Sequence, residues 1–127
     1  MTGLALKYST EIISWKESLM NYLFSATQLE QRLQMVIAAD SITDLGTHTE
    51  AYLTMIEAFV DRGHAMSTEI IHQQAMLVHD GKLIEDNDIT ELIRIEQSRL
   101  RDDINDVKNE YVLLSKETTD FLKRLHS

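Results

Sequence analysis

One stretch, Leu100 to Leu125, shows most clearly how this chain folds, and it reads LRDDINDVKNEYVLLSKETTDFLKRL. Its apolar side chains recur in alternating steps of four and three residues, and Thr118 is the one polar member of the series. Such spacing places the whole series along one side of a single long helix. The series consists of Leu100, Ile104, Val107, Tyr111, Leu114, Thr118, Phe121 and Leu125. Because an apolar stripe of this length must be covered by other helices, the stretch predicts a helical bundle.

Two further segments repeat the same spacing. The first stripe is Ile12, Trp15, Leu19, Tyr22, Ala26, Leu29, Leu33 and Val36. The second stripe is Tyr52, Ile56, Phe59, Gly63, Met66, Ile70, Gln73 and Leu77. Short connections favour antiparallel neighbours. We therefore predict one all-α domain over residues 1–127. It is an antiparallel up-down-up bundle of three long helices at approximately 10–40, 44–79 and 88–126, with a dimeric state left open.

Local signals place the ends of these helices. Residues Met1 to Tyr8 are interpreted as a short lead-in to the first helix. Gly81 suits the left-handed position that follows a helix, so the second helix is predicted to end just before it. Asp88 with Glu91 has the spacing of a capping box for the third helix. The second stripe keeps its phase across Gly63, which predicts an unbroken second helix.

Composition excludes several classes of function. The chain has no cysteine, hence no disulfide, thiolate metal site or thiol nucleophile. The absence of cysteine does not distinguish one redox compartment from another; a cytoplasmic location fits it and is the one expected. Its longest wholly apolar run, Met35 to Ala39, is far shorter than the ~20 residues that cross a bilayer. A net charge of −9 repels phosphate backbones and anionic lipid surfaces. We therefore expect neither direct nucleic-acid binding nor membrane association.

The sequence contains no Walker loop, no glycine-rich dinucleotide turn and no zinc-binding cysteines, so no enzymatic activity and no cofactor are predicted. Instead, the chain has more apolar residues than one narrow stripe per helix uses. These extra positions are Met20, Leu23, Phe24, Leu92, Ile95, Val112 and Leu113. We expect some of them, with Met20, Leu23 and Phe24 foremost, to bind a partner helix or a second copy of the chain.

The predicted function is accordingly a non-enzymatic protein-protein interaction module that presents a helical face, as an adaptor, a chaperone-like binder or an acidic inhibitor. The acidic charge favours a basic partner, which would contact the carboxylates Asp102, Asp103, Asp106 and Glu110. A homo-oligomer is also expected. The methionines, by contrast, are interpreted mainly as fillers of the core.

An alternative function is a metal-binding helical bundle. Asp61 with His64, and Glu69 with His72, have the carboxylate-x-x-His spacing found in di-iron bundles. His64 and His72 lie ~12 Å apart along one helix, so a single chain cannot complete the site. Pairing of this helix with its copy in a dimer would be required. A solvated polar face is the simpler interpretation of these four residues.

Overall fold

The computed structural model of the protein describes residues 3–39 and 43–125. Helix α1 spans Leu4–Ala39, α2 spans Thr43–Met76 and α3 spans Glu91–Leu125. Between α2 and α3 lie two short strands, β1 (Val78–His79) and β2 (Lys82–Leu83), and a 3₁₀ turn (Asp86–Asp88). The three helices pack against one another, which confirms the predicted all-α bundle. The predicted helix ends at residues 40 and 126 lie outside the described residues.

The core consists mainly of the three predicted stripes. Every member of each stripe is buried or half-buried, and Thr118 is fully buried with them. The largest fully buried side chains include Ile12, Phe59 and Leu100, one from each helix. Full burial of a side chain of this kind contributes about 1.5–3 kcal/mol. The bundle is therefore held together by the residues whose spacing predicted it.

Aromatic pairs join α3 to the other two helices. The ring centroids of Tyr22 and Tyr111 lie 4.9 Å apart, and those of Tyr52 and Phe121 lie 4.6 Å apart, both in stacked arrangements. Such pairs contribute about 0.5–1.5 kcal/mol beyond their buried area. They fix the alignment of α3 against α1 and α2.

Helix α1 begins at Leu4 rather than near residue 10, so the predicted lead-in is wrong. The cause is a tertiary contact: the amide of Ala5 donates a hydrogen bond to Asp86 Oδ1 at 3.2 Å. A carboxylate at this position satisfies a free amide at the positive end of a helix. Ala5 and Tyr8 are consequently buried in the core. The first cap thus comes from a residue 81 positions along the chain.

The second helix ends at Met76 rather than 79, because the chain turns into a β-hairpin. Val78 pairs with Leu83 and His79 with Lys82, in antiparallel register. Asp80 and Gly81 have φ values of 52° and 77°. Two left-handed residues in succession form the two-residue turn that suits a hairpin. Gly81 is left-handed as predicted, but it belongs to this hairpin turn rather than to the end of a helix.

The third helix begins at Glu91 rather than 88, and the predicted capping box of Asp88 with Glu91 is wrong. Asp88 lies in the 3₁₀ turn, whereas the amide of Ile93 donates to Thr90 Oγ1 at 3.2 Å. Thr90 therefore caps α3. The hydroxyl of threonine serves the same purpose as the predicted carboxylate, two residues later.

Helix α2 runs unbroken through Gly63, as predicted. A Cβ atom at this position would lie only 3.1 Å from Leu23 Cγ on α1 and would collide with Leu23 Cδ2. The absence of a side chain at Gly63 therefore lets Leu23 pack directly on the backbone of α2. This contact makes α1 and α2 a close pair.

A buried polar network connects all three helices. Gln97 on α3 is fully buried and donates to the carbonyl oxygen of Tyr8 at 3.1 Å and to Glu11 Oε1 at 3.3 Å. Its own Oε1 accepts a hydrogen bond from Gln73 Nε2 on α2 at 3.1 Å. Gln73 Nε2 also donates to the carbonyl of Ile93 at 3.0 Å. Because buried amides must be hydrogen-bonded, this network specifies how the helices align.

Candidate protein-interaction surface

Helix α1 carries a second apolar stripe that faces solvent. Its members are Leu6, Ile13, Met20, Phe24 and Met35, and we call this set the outer stripe of α1. They are separated by seven, seven, four and eleven residues, each spacing close to a whole number of helical turns. All five are exposed, Met20 to 69% and Phe24 to 65%. Large apolar side chains aligned in the open are typical of a surface that binds another protein.

The outer stripe borders a groove between α1 and α2. From α1 the groove is lined by Lys16, Leu19, Met20, Leu23, Phe24 and Thr27, and from α2 by His64, Ser67 and Ile71. Ile71 is itself exposed to 52%. The predicted partner-binding residues Met20, Leu23 and Phe24 therefore lie together in one place, next to exposed apolar surface of a second helix. A groove of this kind can receive the apolar side of an additional helix.

Leu23 differs from its two predicted companions. It is half-buried, and its side chain packs against the backbone of α2 at Gly63. It therefore forms the floor of the groove, whereas Met20 and Phe24 project from its edge. The physical reason is the close pairing of α1 with α2, which turns an extra apolar residue into a packing residue.

The acidic residues on α3 are not all available to a partner. Asp103 Oδ2 accepts a hydrogen bond from Arg99 Nη1 at 2.6 Å, and Arg99 also contacts Glu96 and Glu69. The hydrogen bond to Glu96, followed by that to Glu69, raises the pKa of Arg99. Arg99 therefore stays protonated and partly neutralises the predicted acidic surface.

Glu110 likewise pairs with Arg62 and so links α3 to α2. Asp102 and Asp106 are exposed, as a partner-binding role requires. Helix α3 as a whole carries eight acidic and seven basic residues. The four predicted carboxylates consequently belong to a helix of nearly balanced charge, and none of them lines the groove of Met20 and Phe24.

The extra apolar residues of α3 are exposed in two separate pairs. Leu92 and Ile95 lie near the beginning of the helix, and Val112 and Leu113 lie about five turns further on. Each pair is small, and charged residues occupy the sequence between them. These pairs form no continuous stripe comparable with the outer stripe of α1.

The predicted metal ligands are exposed on α2. Asp61, His64 and His72 lie in the open, and Glu69 Oε2 is 3.3 Å from Arg99 Nη2. Within the ranges 3–39 and 43–125, no three His, Cys, Asp or Glu side chains are close enough to hold a metal ion. Of the four predicted ligands, only His64 lines the groove.

Part of this surface lies outside the residues predicted to bind a partner. Leu6 fell inside the predicted lead-in, so the seven-residue spacing of Leu6, Ile13 and Met20 was not recognised as one exposed stripe. The expectation that the methionines fill the core is also wrong: Met20, Met35, Met55 and Met76 are exposed and Met66 is buried. An exposed methionine provides a flexible, polarisable contact for a protein partner.

One ion pair joins α1 to α3 at the edge of the core. Arg101 donates from Nε and Nη2 to the two carboxylate oxygens of Glu11, both at 2.7 Å. This two-fold hydrogen bond holds the pKa of Glu11 below its ordinary value of 4.5, and Gln97 acts in the same direction. A carboxyl group with a lowered pKa stabilises the fold above its unfolded pKa, and that stabilisation is lost as the pH falls through the folded pKa.

We therefore expect Glu11→Gln to lower the free energy of unfolding by a constant amount from pH 7 to about pH 5. The difference from the unsubstituted chain should shrink progressively below pH 4.5, where the unfolded carboxyl takes up its proton. Urea unfolding of both chains at a series of pH values measures this difference in the free energy of unfolding. In an Arg101→Gln background most of the pH dependence should vanish. A difference that stays constant to about pH 2.5 would contradict the ion pair.

Within the described part of the chain, no helix is both long enough and apolar enough to cross a membrane. Comparison of the chain with known protein families, with curated proteins and with solved structures finds no match.

Proposed function

We propose that this protein is a non-enzymatic interaction module that binds another protein through the outer stripe of α1 and the adjacent groove. The observation that carries the proposal is the alignment of exposed apolar side chains, with Met20 and Phe24 at the edge of a groove whose far wall includes Ile71. Solvent-facing apolar side chains gain free energy when a partner covers them, by about 25 cal/mol per Å². An adaptor or a chaperone-like binder works in this way.

The balance of charge on α1 supports this surface. Helix α1 has three basic residues (Lys7, Lys16, Arg32) and three acidic ones (Glu11, Glu17, Glu30), so its net charge is zero. The charge of −9 lies in the rest of the chain. An apolar partner segment therefore approaches α1 without the repulsion or the desolvation cost that a charged face imposes.

The proposal also includes the order of the helices and the cellular location. An up-down-up order of helices is supported by contacts in which residue numbers rise together between α1 and α3 (Tyr8–Gln97, Tyr22–Tyr111) and run oppositely between α1 and α2 (Lys16–Gln74, Leu23–Gly63). A cytoplasmic location is part of the proposal, and a chain without cysteine is compatible with it. The acidic-inhibitor version is less well supported, because Arg99 and Arg62 already engage Asp103 and Glu110.

A site-specific photocrosslinker tests the proposal. It replaces Phe24 in one variant and Val112 in a matched control, since both residues are exposed and apolar but lie on α1 and α3 respectively. In extracts of the source cell, we expect position 24 to form a discrete adduct with another protein chain, whether a second copy or a different protein, and position 112 to form none. Excess unlabelled chain should compete for the adduct, and the Phe24→Asp chain should not.

Equal labelling from both positions, or an adduct that excess chain does not reduce, would contradict the proposed surface.

The dependence of the adduct on salt distinguishes an apolar contact from the acidic-inhibitor version of the proposal. An apolar contact at α1 keeps its adduct yield between low salt and about 0.5 M salt, whereas a contact of α3 carboxylates with a basic partner weakens strongly.

A further inference from the structure

The charges beside the outer stripe of α1 are complementary to those beside the same stripe of a second copy. Between Ile13 and Met20, the residues closest to the stripe that carry charge are Lys16 and Glu17, which are adjacent and opposite in sign. Lys16 lines the groove, where its Nζ donates to Gln74 Oε1 at 3.0 Å. An ammonium group has three donors, so Lys16 retains two for another acceptor. Glu17 is exposed.

Two copies of this chain each carry −9 and therefore repel one another. Repulsion is least where α1 faces α1, because this helix is neutral. A parallel pairing of two such helices would set Glu17 against Glu17 of the partner subunit. An antiparallel pairing about a two-fold axis between residues 16 and 17 instead sets Lys16 against Glu17 of the partner subunit, twice.

The same axis also pairs two of the five apolar residues of the outer stripe with each other. Ile13 and Met20 lie three and a half residues from the axis, on opposite sides of it. Ile13 of each copy therefore faces Met20 of the other copy across the interface. Phe24 then lies opposite Ser9, whose small side chain leaves room for the ring. The overlapping segment from Leu6 to Thr27 is ~32 Å long, the length of an ordinary helix pair.

We propose that the outer stripe of α1 binds a second copy of this chain, as an antiparallel dimer whose two-fold axis passes between Lys16 and Glu17. This inference rests on the proposed function, since it names a partner for the same surface. The occupant is the α1 helix of the second copy. Opposite charge at the axis and apolar side chains on both sides of it give the pairing its register.

Sedimentation equilibrium of the full chain is the first test. We expect a dimer of twice the 14.6 kDa chain mass. Ile13 and Val112 are both 57% exposed, on α1 and α3, which makes them matched positions for an aspartate. Ile13→Asp should weaken the dimer at least 100-fold and Val112→Asp by less than about 3-fold, with both chains remaining helical by circular dichroism. A monomer at about 0.5 mM, or a dimer that Ile13→Asp leaves intact, would overturn the proposal.

Cysteine pairs test the orientation, because the chain has no cysteine of its own. A mixture of Ile13→Cys and Met20→Cys chains should form a disulfide-linked heterodimer under mild oxidation. Ile13→Cys alone should not, because the two copies of residue 13 lie ~10 Å apart along the antiparallel pair. Efficient linking of Ile13→Cys to itself would mean a parallel pair and would overturn the proposal. Failure here leaves a position-24 adduct with a different protein intact, so the two proposals fail separately.

Discussion

A methyl group added at Gly63 is expected to destabilise the bundle by about 1–3 kcal/mol. The sign of this change in stability is informative, because alanine normally stabilises a helix by about 1 kcal/mol relative to glycine. At this position, however, the new Cβ meets Leu23 on α1. Since Leu23 Cγ would be only 3.1 Å away, rotation of the terminal methyl groups alone does not remove the clash. Urea unfolding of Gly63→Ala measures the cost.

Two further variants separate the clash from helix propensity. In a Leu23→Ala background the obstruction is gone, so Gly63→Ala should change from destabilising to neutral or stabilising by up to about 1 kcal/mol. Ala65→Gly, at an exposed site of the same helix, reports propensity alone and should cost about 1 kcal/mol. Stabilisation of the unsubstituted chain by Gly63→Ala would show that α1 and α2 are not closely paired there.

The Gly63 contact also matters for the candidate surface. Leu23 forms the floor of the groove that Met20 and Phe24 border. A side chain at Gly63 that displaces Leu23 would alter the groove without touching any exposed residue. We therefore expect Gly63→Ala to reduce photocrosslinking from position 24 as well as stability.

Loss of the buried amide of Gln97 is expected to cost about 1–3 kcal/mol. Gln97→Leu removes the acceptor of Gln73 Nε2 and the donor to the carbonyl oxygen of Tyr8, and both of these hydrogen bonds are buried. Gln73→Leu should have a cost of the same size, because it leaves Gln97 Oε1 without its hydrogen-bond donor. Thermal and urea unfolding of the two single variants measure these costs.

The double variant is the decisive comparison. When both amides become leucine, no polar group of the pair is left without a partner, so the total cost should be well below the sum of the single costs. Gln31→Leu, at an exposed position of α1, should change stability by no more than about 0.5 kcal/mol. Additive costs in the double variant would mean that Gln73 and Gln97 do not depend on each other.

These two sites also show what the spacing of residues along one helix does not reveal. Gln73 lies in the predicted second stripe between Ile70 and Leu77, whereas Gln97 was missed because the predicted third stripe begins only at Leu100. Leu23 was interpreted as exposed surface, since nothing in its own helix reveals that Gly63 lies opposite. Both residues are defined by what another helix places beside them.

The candidate surface was predicted in part. Met20 and Phe24 are exposed as expected, and Leu6 and Ile13 extend the same line. The carboxylates of α3 are less well suited than expected, because Arg62 and Arg99 lie close enough to pair with two of them. Which acidic residues have a basic neighbour depends on the distance between α2 and α3, and spacing along one helix carries no information about it.

Periodicity along the chain was enough to predict three helices, their approximate extent and most residues of the core. It suffices for these features because burial of one side of a helix depends only on residues that are a few positions apart. Three other features appear only in the packed bundle: the beginning of α1 at the distant Asp86, the direct packing of Leu23 on Gly63 and the three-helix network around Gln97. Each of these joins residues that are far apart in the chain, so their geometry exists only once the helices have packed.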